Sequence, residues 1–144
     1  MRSVLVLFVV CAFSAAATRV PFRLCGSNPV VEVVTADADP WPPVPGQSFT
    51  VVAGGNVTHT ITGGSYNVQV KVDGFTVKTL SGDVCSFDPA VKCPVSTGVH
   101  RLSKTQDIPY LVPPGSYSIH VSATGQDQSN LFCIDLSVDL SKKL

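Results

Sequence analysis

SYNVQVKVDG, residues 65–74, alternates strictly: Tyr66, Val68, Val70 and Val72 fall on one side, Asn67, Gln69, Lys71 and Asp73 on the other. A period of two marks a strand with one face buried and the other in water. Asp73-Gly74 is a favoured hairpin turn, and FTVKTL follows it with Phe75 and Val77 on one side. The same alternation returns near the end of the chain. In YLVPPGSYSIHVSATG, a Pro-Pro-Gly turn precedes Tyr117, Ile119, Val121 and Ala123 on one face, and in LFCIDLSVDL the apolar positions are Phe132, Ile134, Leu136 and Val138.

Between these segments the chain reads as more of the same. PVVEVVTAD is a Val-rich strand, DPWPPVPGQS a Pro-rich connection that cannot be a central strand. SFTVVAGGNVTHTITGG and GVHRLSKTQDIP are further extended segments, and no long stretch carries a helical period. Seven or eight strands separated by turn signals predict an all-β fold, an antiparallel sandwich or barrel. Trp41 lies in the Pro-rich connection, so the Cys–Trp–Cys spacing of a true immunoglobulin domain is missing.

The first residues have another character. Arg2, an apolar run from Val4 to Phe13 and the small residues Ala15-Ala16-Ala17 read as a secretory signal peptide over 1–17, leaving a single domain over 18–144. The run is too short to span a bilayer, which takes roughly 20 residues. The remaining domain carries nine basic and ten acidic residues, a net charge of −1. That balance excludes a phosphate-tracking nucleic-acid binder. The destination implied is the extracellular space, or the lumen of a vacuole or lysosome-like compartment.

Four cysteines lie beyond the signal: Cys25, Cys85, Cys93 and Cys133. An even count in a secreted chain predicts two disulfides, with three pairings open. Cys85 and Cys93 flank SFDPAVK, a Pro-containing loop able to bring its ends together, which favours that pair and leaves Cys25 for Cys133. No paired C-x-x-C occurs, and no two of His59, His100 and His120 stand at helix-ligand spacing, so no metal site and no cofactor are expected. Asn56-Val57-Thr58 is a glycosylation sequon suited to a surface.

No G-x-S-x-G, H-E-x-x-H or phosphate loop is present, so no enzyme is predicted. Each histidine alternates with apolar neighbours and is expected to point outward from a strand. Asp37 and Asp39 read as solvated residues at a strand end. What remains is apolar surface, which either fills a solid sandwich core or lines a space between splayed sheets. A solid core would suit a structural or adhesive protein with a protein partner.

The order of motifs decides between these. Cys25 in RLCGSN, the Pro-Gly turn of PPVPGQSFTV, ITGGSYNVQVKVDG, the cysteine pair of DVCSFDPAVKCP and the closing DIPYLVPPGSYSIHVSATGQDQSNLFCIDLSV together resemble the ML-domain family of secreted lipid-recognition proteins. The family includes the Niemann–Pick type C soluble sterol carrier and the phosphatidylglycerol/phosphatidylinositol transfer proteins. The cysteines for the sterol carriers' additional N-terminal disulfide are missing here, so the chain looks more like the transfer-protein branch. The resemblance implies an immunoglobulin-like sandwich of two sheets with an apolar cavity between them, and the pairings Cys25–Cys133 and Cys85–Cys93. It also implies one sterol or phospholipid as ligand, transient contact with a membrane surface during transfer, and a monomer. The expected cavity lining is Val68, Val70, Val72, Phe75, Val77, Tyr117, Ile119, Val121, Phe132, Ile134 and Leu136, with Tyr66 and Tyr110 at the mouth. Lys92, Arg101 and Lys104 are either solvated surface charge or partners for an anionic headgroup.

Overall fold

A computed structural model of the chain describes residues 17–87 and 91–140. The signal-peptide reading falls outside the described residues. The strands are β1 (Thr18–Arg19), β2 (Phe22–Leu24), β3 (Val31–Asp39), β4 (Ser48–Val57), β5 (Gly64–Val72), β6 (Phe75–Asp83), β7 (Gly98–Asp107), β8 (Ser116–Gly125) and β9 (Asn130–Asp139). A short 3-10 turn, Val84–Ser86, is the sole helical element among the described residues. Two antiparallel sheets result, ordered β1-β3-β4-β7 and β2-β9-β8-β5-β6.

The alternation seen in the sequence becomes rows across the five-stranded sheet. Tyr66, Ala123 and Phe132 stand side by side, as do Val68, Val121 and Ile134, then Val70, Ile119 and Leu136, then Val72, Tyr117 and Val138. These rows face the other sheet. Ala123, Phe132 and Tyr66 pack with Val57 and Ile61 at one end, and Leu136 packs on the Val20, Ala36 and Ala38 cluster towards the other. The inner row of β4, namely Phe49, Val51, Ala53, Gly55 and Val57, answers from the four-stranded sheet.

Three bulges change what simple alternation implies, because one extra residue reverses the faces beyond it. In β9, Leu131 is left unpaired between Asn130 and Phe132 and turns inward, where it is buried in the core. In β3, Val34 is the extra residue and is expelled to solvent, so that Ala36 and Ala38 face inward. In β6, Val77 is unpaired, and Lys78, opposite Val70, continues the inner row with Leu80.

The N-terminal segment, unassigned by periodicity, closes one side. β1 adds to β3, β2 adds to β9, and Val20 between them is buried against Ala36 and Ala38. Trp41 is half-buried in that cluster, so the Pro-rich connection contributes to the core despite being no strand. Gly46 turns this connection at φ +81°, a left-handed conformation suited to glycine. The Tyr110 ring lies over it, 2.9 Å from where a Cβ would stand. Tyr117 donates its hydroxyl hydrogen to the Pro113 carbonyl and fixes the Pro-Pro-Gly turn. Burial, reinforced by the charge of Asp73, pushes the Tyr117 phenol above its ordinary pKa.

Both disulfides are formed as implied, Cys25–Cys133 across 108 residues and Cys85–Cys93 across 8. On the chain-entropy account the long closure stabilises the fold by about 4–5 kcal/mol and the short one by about 2–3 kcal/mol. Replacing Cys85 and Cys93 together with Ala should therefore cost roughly half of what replacing Cys25 and Cys133 costs. Denaturant midpoints of the two double variants measure this, and equal losses would refute the loop-length ordering.

Candidate functional site

The interior of this sandwich is apolar and incompletely filled. Val68, Val70, Val72, Ile119, Val121, Phe132, Ile134 and Leu136 share the inner face of the five-stranded sheet, and each stays only half-buried. Among the described residues no large side chain falls below 2% exposure. On the facing sheet Ala53 is also only half-buried, whereas Ala36 and Ala38 are buried against Val20 and Leu136. Close-packed interiors run near crystal density, so an apolar inner face that water still reaches is incompletely packed.

The space is bounded unequally. One end is packed by Val57, Ile61, Ala123 and Leu131. The β1–β2 side is shut by Val20, and β3 approaches β9 there. Counted from that side, five strands lie over four, and β6 has no strand facing it. The sandwich therefore opens between the β6 and β7 edges.

This geometry corrects several expectations. Phe75 shares a row with Val72, yet it is 77% exposed, and Val77 is 57% exposed. Both belong to the rim because β6 overhangs the shorter sheet and the bulge removes Val77 from the inner row. Tyr117 is buried, its ring in the inner row but its hydroxyl committed to Pro113. Tyr66 packs on the Val57–Ile61–Leu131 cluster, with its ring 4.9 Å from that of Phe87, edge to face. Tyr110 is 83% exposed on the β7–β8 connection, at the opposite end.

The polar candidates also separate. Arg101 pairs with Gly54 on the outer face of its sheet, and Lys92 is exposed on the disulfide loop. Lys104 pairs with Val51 and so belongs to the inner row of β7. Its Nζ donates to the Phe87 carbonyl at 3.1 Å and sits 5.3 Å from the centre of that ring. With Tyr66 on one side and Lys104 on the other, Phe87 bridges the two sheets near the open edge. Lys78, overlooked by simple alternation, stands on the inner row of β6. Asn56 is half-buried within β4, between Glu32 and Val99, and Thr58 of the sequon donates to the Val30 carbonyl.

The histidines differ from one another. His59 follows β4 in a bend and is not in a strand, and His100 pairs with Gly55 on the inner row of β7, exposed, with Nε2 2.7 Å from the Ser96 carbonyl oxygen. His120 alone points outward from a strand as expected. Asp37 lies within β3, 3.7 Å from Arg19. The interior thus brings together hydrocarbon surface and an edge of cations, and among the described residues no acid, base and nucleophile converge along it.

Comparison with known proteins agrees with this construction. The sequence profile of the ML domain matches residues 19–140. A phosphatidylglycerol/phosphatidylinositol transfer protein of Mycosarcoma maydis is 37% identical over 120 residues, covering 79% of this chain and 62% of that protein. A protein of the same name from Cryptococcus neoformans var. neoformans is 32% identical over 125 residues, covering 83% of this chain and 69% of its own. Among solved structures, a Niemann-Pick type C2 protein from Japanese carpenter ant superposes with a TM-score of 0.69 at 14% identity, over 83% of this chain and 98% of that one. Chicken MD-1 complexed with lipid IVa superposes with a TM-score of 0.53 at 17% identity, over 85% and 99%. The chain belongs to the ML-domain family, a class of two-sheet sandwiches that bind and transfer lipids and are not enzymes. It spans less than two thirds of the length of the Mycosarcoma relative.

Enlarging residues on either inner face tests whether the interior is a binding space. Val70→Trp, Ile119→Trp and Ala53→Phe should each keep the far-UV spectrum and reduce uptake of a fluorescent phospholipid by tenfold or more. Normal uptake by all three folded variants would remove this lining from consideration.

Proposed function

We propose that this protein is a secreted lipid-transfer protein that carries one phospholipid, or a sterol, between its two sheets. The observation that carries the reading is the half-buried apolar inner face of β5, β8 and β9, aligned in rows across the sheet. Burying a methylene contributes about 0.8 kcal/mol, so a dozen contribute roughly 10 kcal/mol before ordering costs are subtracted. The names of the fungal relatives favour a phospholipid over a sterol.

Chemistry at the open edge points the same way. Lys78 and Lys104 on the two inner rows suit an anionic headgroup left outside while the acyl chains enter. Lys104, held on Phe87, is the stronger candidate because its position is already fixed. Exposed Phe75, Val77 and Leu80 on β6 and Val99 on β7 supply apolar contact with a bilayer while a lipid passes. Acyl chains would then move from membrane to interior with little exposure to water, and the protein would need no partner chain.

Native mass spectrometry followed by solvent extraction and lipid identification is the test. One bound phospholipid class is the expected result. An empty protein that also refuses fluorescent sterol and phospholipid probes would overturn the carrier reading. Lys104→Ala should weaken transfer of phosphatidylglycerol between vesicles about five- to tenfold, with a much smaller effect on phosphatidylcholine. Equal effects on both lipids would remove the headgroup role of Lys104.

A further inference from the structure

On the outer face of the five-stranded sheet, away from the interior, side chains with metal-ligand chemistry converge from separate strands. His120 on β8 stands opposite Asp135 on β9, with its Nδ1 2.6 Å from Asp135 Oδ1. The Cys25–Cys133 disulfide lies alongside: Cys133 Sγ is 3.9 Å from Nε2 and Cys25 Sγ is 3.9 Å from Nδ1. One ligand atom from each of Cys25, His120 and Cys133 falls within 4.8 Å of the others.

We propose that reduction of Cys25–Cys133 converts this cluster into a binding site for a zinc-class divalent cation, with Cys25, Cys133 and His120 as ligands and Asp135 positioning the imidazole. The reductant is a dithiol, which gives two electrons and two protons to the sulfur pair and itself closes to a cyclic disulfide. The cation then displaces the two thiol protons, and water completes the fourth position. Two sulfurs and an imidazole nitrogen match the borderline-soft preference of zinc.

Geometry carries the argument. Tetrahedral zinc, with Zn–S about 2.3 Å and Zn–N about 2.0–2.1 Å, sets sulfur and nitrogen about 3.6 Å apart. The Nε2–Sγ separation here is already 3.9 Å. Asp135 stands against Nδ1; with the proton held there, Nε2, the nitrogen beside Cys133, is the one to meet the cation, as in the carboxylate–imidazole pairs of zinc sites. The thiols stay adjacent without their bond, because Cys25 N–H donates to the Cys133 carbonyl at 3.0 Å and β2 remains paired to β9. A concavity of about 350 Å³ that includes His120 and Asp135 gives access from solvent. Lys71 on its wall and Arg23, opposite Asp135, oppose a bare dication, and the two thiolates offset them.

The experiment uses a Cys85→Ala/Cys93→Ala background, reduced with a phosphine that takes up the oxygen of water as its oxide, and titrated with Co²⁺ and then Zn²⁺. One equivalent of Co²⁺ giving sulfur-to-cobalt charge-transfer absorption, in the reduced form alone and displaced by Zn²⁺, is the expected result. His120→Ala should weaken binding more than tenfold and alter the cobalt spectrum. Asp135→Asn should weaken it by roughly 10–100-fold while retaining the sulfur band. Equal affinity in the oxidised protein, or unchanged affinity in His120→Ala, would overturn the site. So would loss of the β-sheet circular dichroism on reduction with no recovery in metal.

Discussion

Two sheets that share an apolar interior without filling it need something other than core packing to set their distance. Here the constraint lies at the margins. Val20 and the β1–β2 crossover tie the sheets along one side, the Val57–Ile61–Leu131 cluster ties one end, and Cys25–Cys133 anchors the crossover covalently to β9. Neither cluster includes Val68, Val70, Ile119, Val121 or Ile134. Unfilled apolar space would otherwise favour collapse, since it forfeits dispersion contacts. The marginal ties account for how the open arrangement survives.

The same constraint explains the unequal edges. With five strands over four, one strand must overhang, and β6 does. Its exposed Phe75, Val77 and Leu80 would be a liability on an ordinary edge, open to pairing with another chain. The bulge at Val77 interrupts the regular ladder a second chain would need, and Lys78 adds charge to the edge. An edge that resists strand addition but keeps its apolar side chains is suited to meeting hydrocarbon.

Much of the architecture was legible in the sequence because alternation carries it. The inner rows of β5, β8 and most of β9 follow directly from SYNVQVKV, SYSIHV and FCIDLSV. What alternation misses is wherever the count changes by one. Leu131, Val34 and Val77 each sit at a bulge, and none carries a Gly or Pro to announce it. Thr18–Leu24 was silent because strands of two and three residues are too short to show a period. The contacts of Tyr66 with Phe87 and with the Val57–Ile61 cluster join separate segments, and alternation within one strand does not reveal them. The emptiness of the interior was beyond any pattern. It depends on how closely the two sheets approach along β5, β8 and β9, which is a relation between segments.

That relation ties stability to cargo. A protein whose core is partly supplied by its ligand is least stable when empty, and ligand bound to the folded state alone adds about 2.7 kcal/mol at a hundredfold excess over Kd. The disulfides act on the other side of the equilibrium by narrowing the unfolded ensemble, and their contribution does not depend on whether the interior is occupied. An empty carrier of this kind would therefore draw a larger share of its stability from Cys25–Cys133 than a loaded one. The one covalent tie that closes most of the chain sits where the sheet is polar and His120 stands against it, on the face opposite the one the lipid would touch.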